Sequence, residues 1–365
     1  MKTASVILEE CILQTGKPAT AGAKMLANFI APFDATIITS LSDAGYDIVG
    51  RASTEEFGIA DFSSDTPTFD TSAFGEYPSA VKAVAEGVAE FALCNDVFGT
   101  QRREAAENGL CYIRPSYGTV SRFGLIPLVS SMDQIGIVCK DLAAGFELLS
   151  VIAGVDPNDG AMLPGFAVEE RADGTSLKIG VPSDVLNRSD SAEILKDFAG
   201  NFDAVDMTLE YFDVYKQVMC ILATAEISAN FTRYDGIKFG YRASGFGNLE
   251  ELYFKTRSEG FGPSAKFASI MGAMVVSKDG YAPFYEKALK IRRLIKDATR
   301  FDGYDLILLP TEINGDIYEN SALYALAPLV GLPSVSFSYK GRGLQLIANV
   351  DDEGALLSAY KAVRI

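Results

Sequence analysis

The sequence predicts an α/β fold: a largely parallel or mixed β-sheet flanked by helices on both faces. Three observations carry this. Short apolar runs of strand length are separated by segments of helical period, the pattern of a sheet buried under helices. A hydrophobic content of 48% over 365 residues supplies a large core. No internal repeat, low-complexity tract or Pro/Ser-rich linker divides the chain, so residues 1–365 are expected to form one domain.

The elements follow in order. Met25, Leu26, Phe29 and Ile30 form a short helical stripe that stops before Pro32. Asp34 is placed to cap a helix reaching about Leu41, with Gly45 beyond its end, and residues 47–50 read as a buried strand. The clearest helix spans about Ser79 to Phe91: Val81, Val84, Ala85 and Val88 share one face, and Lys82, Glu86 and Glu90 lie at i, i+4 spacing on another. Asp141 caps a helix ending near Gly154, Leu177 to Val181 is a strand, and Ser191 to Phe198 and Tyr211 to Asn230 are helical. Pro283 opens a helix reaching about Arg300. Strands follow at Leu306 to Leu309, Val335 to Ser338 and Leu344 to Ile347, then a helix from Glu353. Asp61 to Ser72, rich in Ser, Thr, Asp and Pro, reads as a long surface loop.

Composition excludes whole classes of chemistry. The chain has no histidine, which removes Ser-His-Asp, Cys-His and His-metal mechanisms together. Lys+Arg 32 against Asp+Glu 48 leaves a net charge of −16, which repels phosphate backbones, and Arg102-Arg103 and Arg292-Arg293 are only pairs; direct nucleic-acid binding is not expected. The five cysteines (Cys11, Cys94, Cys111, Cys139, Cys220) form no C-x-x-C pair and sit in apolar stretches, as free thiols of a reducing cytosol do. No long apolar h-region opens the chain and no run of 18 apolar residues occurs, so a cytoplasmic protein without membrane attachment is expected. Neither G-x-G-x-x-G nor a P-loop is present, and no cofactor or metal is expected.

One stretch is far from generic. Residues 113–136 read IRPSYGTVSRFGLIPLVSSMDQIG. This resembles the amidase signature family, whose members carry L-K-P-T-Y-G-R-V-S-R-x-G-L and S-S-L-D-Q-I-G. Residues 228–241 (SANFTRYDGIKFGY) and 256–262 (TRSEGFG) are similar, within that family, to the A-subunit branch of the glutamyl-tRNA(Gln)/aspartyl-tRNA(Asn) amidotransferases. The resemblance covers most of the chain and implies an amidase signature fold, a mixed sheet flanked by helices. It also implies hydrolysis of amides by a Ser-cisSer-Lys triad: a neutral lysine relays protons through a bridging serine to a nucleophilic serine, and backbone N–H groups of a glycine-rich turn form the oxyanion hole.

The departures fall on the triad. Where the family has G-S-D-T-G-G-S-I-R, residues 94–102 read CNDVFGTQR: Asp96, Gly99 and Arg102 match, Thr100 takes the nucleophile position, and Phe98 replaces a glycine of the substrate turn. Residues 74–80 (FGEYPSA) replace the serine-glycine segment and put Glu76 at the bridging-serine position. Residues 8–12 (LEECI) replace the K-D-N segment and put Glu9 at the lysine position. Among substrate-binding positions the resemblance retains Arg257, which in the family holds the glutamine carboxylate, whereas Ser321 stands where an aspartate would hold the glutamine amine. The alternative reading of Arg257 is a structural ion pair, and Asp96 and Arg102 read as a buried framework pair. By the resemblance, residues 1–365 are expected to correspond to the family's domain without its N-terminal helical segment and part of its C-terminus.

Three functions follow as expectations. The first is a pseudoenzyme that kept the framework and acts as a scaffold or accessory subunit, with the amidotransferase B and C subunits or another protein as partner. The second is an active amidase or glutaminase supplying ammonia for transamidation, with Thr100 as nucleophile and Glu9 or Glu76 as base. The third is a small-molecule binding protein that reuses the cleft. A separate expectation is that Glu9 and Glu76 face each other, giving one carboxyl a raised pKa or the pair a divalent cation.

Overall fold

The computed structural model describes residues 4–59, 76–171, 174–313 and 317–363. The Asp61 to Ser72 loop lies outside the described residues. Ten strands build one sheet: β1 (Ser5–Glu9), β2 (Asp47–Ala52), β3 (Phe91–Asn95), β4 (Cys111–Arg114), β5 (Ile135–Cys139), β6 (Lys178–Pro182), β7 (Asp203–Met207), β8 (Leu306–Pro310), β9 (Ser334–Tyr339) and β10 (Arg342–Ala348). Their spatial order is β2-β1-β3-β5-β4-β9-β10-β8-β6-β7. Pairing is parallel at both ends, β2-β1-β3 and β8-β6-β7, and antiparallel through the centre. The expected mixed sheet is the one observed.

The helices of the first half are α1 (Thr36–Asp43), α2 (Ala80–Ala85), α3 (Thr100–Glu107) and α4 (Leu142–Ile152). Those of the second are α5 (Ser183–Leu186), α6 (Ala192–Ala199), α7 (Tyr215–Phe231), α8 (Leu249–Gly260), α9 (Pro263–Val276), α10 (Lys287–Ala298), α11 (Ile317–Val330) and α12 (Glu353–Ala362). Strand alternation sorts the core into two faces. Ile7, Ala92, Cys94, Tyr112 and Val138 pack with Val81 and Val84 of α2 and Ala105 of α3. Val6, Leu8, Leu93, Ile113 and Ile137 belong with Ile37 and Leu41 of α1 and Phe146 and Leu149 of α4 to the main core. With side chains covered on both sides, the strands read as continuous apolar runs. Among the described residues no helix is long and apolar enough to cross a membrane.

Several boundaries differ from expectation for local reasons. The helix expected from Ser79 to Phe91 is only α2. Ser79 caps it, its Oγ accepting from Lys82 N at 3.0 Å. Gly87 then ends it in the left-handed conformation, with Val88 N donating to Ala83 O and Gly87 N to Val84 O. Phe91 belongs to β3. Asp34 does not cap α1, whose N-cap is Ala35; its carboxylate accepts from Thr15 N at 2.6 Å instead. The strand at 47–50 extends to Ala52 and lies at the sheet edge with Asp47 and Val49 exposed, so it is not buried. The 25–30 stripe reduces to one 3-10 turn, Lys24–Leu26, because Ile30 bridges to Pro18. Pro283 falls inside a π-helical turn, Tyr281–Glu286, and α10 begins after it. Asp141 caps α4 as expected, accepting from Ala144 N at 3.1 Å.

Candidate functional site: a buried carboxyl beneath the β3–α3 turn

The chain leaves β3, the third strand from the β2 edge, at Asn95, turns through residues 96–99 and enters α3 at Thr100. Gly99 makes the turn possible: its φ is +95°, and a Cβ there would lie 2.2 Å from the Tyr324 ring. Asp96 gathers the unpaired N–H groups at the start of α3, accepting from Gly99 N at 2.6 Å and Arg102 N at 3.1 Å. It also pairs with Arg102 Nε at 2.9 Å, both side chains being almost wholly buried. The rest of the guanidinium is well occupied. Arg102 Nη1 donates to Tyr324 O and to Gln345 Oε1, both at 3.2 Å, and the group lies over the Tyr324 ring. From below, Arg114 donates to Asp96 O and Met132 O, each at 2.7 Å. Asn95 links the turn to the 128–134 segment through Asp133 Oδ1 at 2.9 Å and Gln134 N at 3.0 Å.

Alternation along β1 places Glu9 on the same face as Ile7, under the start of α3. Glu9 is 1% exposed. Its Oε2 accepts from Asn95 N at 3.0 Å and from Cys11 Sγ at 3.2 Å, Oε1 accepts from Gln101 Nε2 at 3.4 Å, and the Thr54 side chain also bonds to it. Burial pushes its pKa from 4.5 up to about 7, against the pull of the Asn95, Cys11 and Thr54 donors, and the Asp96 charge adds to the rise. Glu10, on the other side of the strand, accepts from Thr20 Oγ1. Its pKa is also raised by burial, while Arg51 pulls it down and Glu76 pushes it up.

Glu76 itself is exposed, lying over Gly50, where a Cβ would come within 2.7 Å of its Oε2. The partners of Glu9 are therefore a backbone amide and three neutral side chains, and Glu76 sits apart at the rim, its charge felt by Glu10 and Arg51. The expected face-to-face contact of Glu9 and Glu76 is not formed: the edge position of β2 holds Glu76 outward. Among the described residues no group of three or more Cys, Asp and Glu side chains could hold a metal ion.

The other sequence-derived positions divide. Thr100 is the first residue of α3 and half-buried; among the described residues its hydroxyl makes no hydrogen bond. Phe98 is half-buried and packs against the main core. Ser321 precedes Tyr324 by one turn of α11, and the Tyr324 ring lies on Gly99, so Ser321 is brought to the same end of the sheet. Arg257 is exposed on α8 and donates to the carbonyls of Tyr234 at 3.3 Å and Thr232 at 3.2 Å, just past the end of α7. Among the described residues it makes no ion pair of the kind its structural reading expects; it bonds instead to the C-cap carbonyl of α7, Thr232 O, and to Tyr234 O beyond it. Cys11, Thr54 and Gln101 escaped the sequence reading. The one available signal was an acidic pair breaking an otherwise apolar run, SVILEECIL at 5–13.

Comparison with known proteins agrees with this architecture. The Amidase family matches residues 5–73 and 79–321. The A subunit of glutamyl-tRNA(Gln) amidotransferase from Neisseria meningitidis serogroup A is 34% identical over 405 aligned positions, covering 99% of this chain and 83% of that one. The crystal structure of the corresponding A subunit from Thermotoga maritima has a TM-score of 0.76 at 23% identity and covers 100% of this chain and 84% of its own. A chain from a vestigial protein complex, described as revealing the origins of an s-triazine catabolic enzyme, has a TM-score of 0.77 at 18% identity, covering 99% and 83%. These two structures carry the fold alone. By the extent of the family match and of the near-full-length relative, the chain belongs to the amidase signature family and is similar to amidotransferase A subunits.

Proposed function

We propose that this protein is a non-catalytic member of the amidase family that acts as a scaffold or accessory subunit, its residues 1–365 forming one amidase-like unit. The observation that carries this reading is the occupancy of the lysine position. A hydroxyl nucleophile needs a base within hydrogen-bonding reach. Glu9 fills that position, is buried, and already accepts from Asn95, Cys11, Thr54 and Gln101. Thr100 Oγ1 bonds to no described residue, and Glu76 is at the surface. What persists is the Asp96–Arg102 framework, which shapes the turn without requiring turnover. Since the relative is named as one subunit of an amidotransferase, the B and C subunits of such an enzyme are the partners to try first.

The test is ammonia release from glutamine, asparagine and simple amides by the protein and its Thr100→Ala variant, with co-purification against amidotransferase B and C subunits. No release from either protein is expected. Release abolished by Thr100→Ala would overturn the reading.

A second reading has one observation in its favour. Glu9 is held near pH 7 and bonds to Gln101, the residue after Thr100, so a carboxyl half-ionised at neutrality lies beside the nucleophile position. An amidase of this kind would gain activity as pH rises through about 7 and lose it in Glu9→Gln.

A further inference from the structure

Away from this site, the antiparallel pair β4–β5 sets Cys111 directly opposite Cys139. Directly opposed residues project to the same face, with Cα atoms about 4.5 or 5.5 Å apart depending on the kind of pair. Both separations fall within the roughly 4.4–6.8 Å that a disulfide spans. The thiols are free: Cys111 Sγ donates to Lys140 O at 4.0 Å, and Cys111 lies near enough to Cys139 to push its pKa up.

Their surroundings make them unequal. Cys139 has no exposed surface, and α4 lies directly on it: a Cβ on Gly145 would come 2.7 Å from its Sγ. Cys111 lines a cavity of about 240 Å³ whose walls include Phe198, Tyr339, Tyr360 and the exposed Lys140. That volume admits several water-sized molecules. The other cysteines lack this arrangement. Cys94 lies on the opposite face of the sheet beside Tyr112, Cys11 bonds to Glu9, and Cys220 is on α7.

We propose that Cys111 and Cys139 form an oxidative modification site, in which a small hydroperoxide entering the cavity oxidises Cys111 and Cys139 resolves it as an intramolecular disulfide. The Cys111 thiolate attacks the terminal peroxide oxygen, the O–O bond breaks, and the alkoxide or hydroxide leaves and takes up a proton, giving Cys111 sulfenic acid. The Cys139 thiol then attacks that sulfur, the S–O bond breaks, and the oxygen departs as water with the Cys139 proton. Two thiols lose two electrons in total, and the peroxide is reduced by the same two.

The reduced protein is treated with hydrogen peroxide, alkylated, digested without reductant and mapped by mass spectrometry. The expected product is a Cys111–Cys139 linked peptide lighter by two hydrogens and lost on treatment with dithiothreitol. In Cys139→Ser, Cys111 is expected to accumulate as a sulfenic acid trapped by dimedone; in Cys111→Ser, Cys139 is expected to stay reduced. Absence of the linked peptide in the unmutated protein, while exposed Met274 is converted to its sulfoxide, overturns the proposal. So does oxidation of Cys139 in Cys111→Ser at the rate seen in the unmutated protein. The peptide map of the unmutated protein decides the matter even if a variant fails to fold.

Discussion

Replacing Glu9 by glutamine tests the electrostatic account of the site. In the unfolded chain Glu9 titrates at its ordinary 4.5; in the folded protein burial raises it to about 7. The folded state therefore holds the proton more tightly. Glu9 does not penalise stability below about pH 4.5, the penalty of ionising it in the fold grows as pH rises between the two values, and it is complete above about 7. A shift of this size corresponds to about 3 kcal/mol. Glutamine keeps the shape and carries no charge, but its NH2 faces a donor where a carboxylate oxygen had accepted, a loss of about 1–2 kcal/mol. At pH 8 Glu9→Gln is thus expected to be more stable than the parent by about 1–2 kcal/mol. At pH 5 it is expected to be slightly less stable, so the gap moves by roughly 2–3 kcal/mol between the two pH values. Urea unfolding of both proteins at both pH values measures it. Glu10, Glu56, Glu104, Asp133 and Glu353 also have raised pKa values, but they are common to the two proteins and cancel in the difference. A gap that does not change with pH would refute the reasoning.

Two further substitutions address the framework. Arg102→Met leaves the Asp96 carboxylate buried without its cation and is expected to lower unfolding free energy by about 3–5 kcal/mol in the same urea assay, with Arg102→Lys only partly restoring it because four acceptors meet the guanidinium. Gly99→Ala combines a left-handed φ with a Cβ driven into the Tyr324 ring and is expected to lose more than about 2 kcal/mol, read as a fall in the urea midpoint.

What the sequence made legible depended on how far apart the interacting residues lie in the chain. The Asp141 cap, the Gly45 stop and the apolar runs of β6, β8, β9 and β10 are local signals, and the structure has them nearly where expected. β3 and β5 were harder: FALC, before Asn95, and IGIVC are short apolar or small runs with no period, and periodicity alone does not separate such runs from buried helix. The end of α2 was misplaced because Val88 continues the apolar stripe past Gly87, where backbone conformation rather than hydrophobicity ends the helix. At the site, the surroundings of Glu9 were not legible, because its partner Gln101 is 92 residues away and meets it through the pairing of β1 with β3.

The donor set around Glu9 explains why this framework accommodates an acid at position 9. Strand alternation in β1 and the register of β1 on β3 fix the direction of side chain 9 under α3 whatever residue stands there. One of the groups it meets is the Asn95 backbone N–H, which is part of the fold; Cys11, Thr54 and Gln101 add three side-chain donors. An ammonium in this position would point its own N–H groups at donors and find the Asp96 carboxylate already taken by Gly99, Arg102 and the start of α3. A carboxyl is the complementary occupant, able to accept all four and to hold a proton near neutrality. The turn and its ion pair do not depend on this choice. Asp96, Gly99 and Arg102 are bound to one another, to β10 and to α11. The Asp96–Arg102 turn and the donor cage at position 9 are thus separate units of this fold, and a lysine introduced at position 9 would stand among donors.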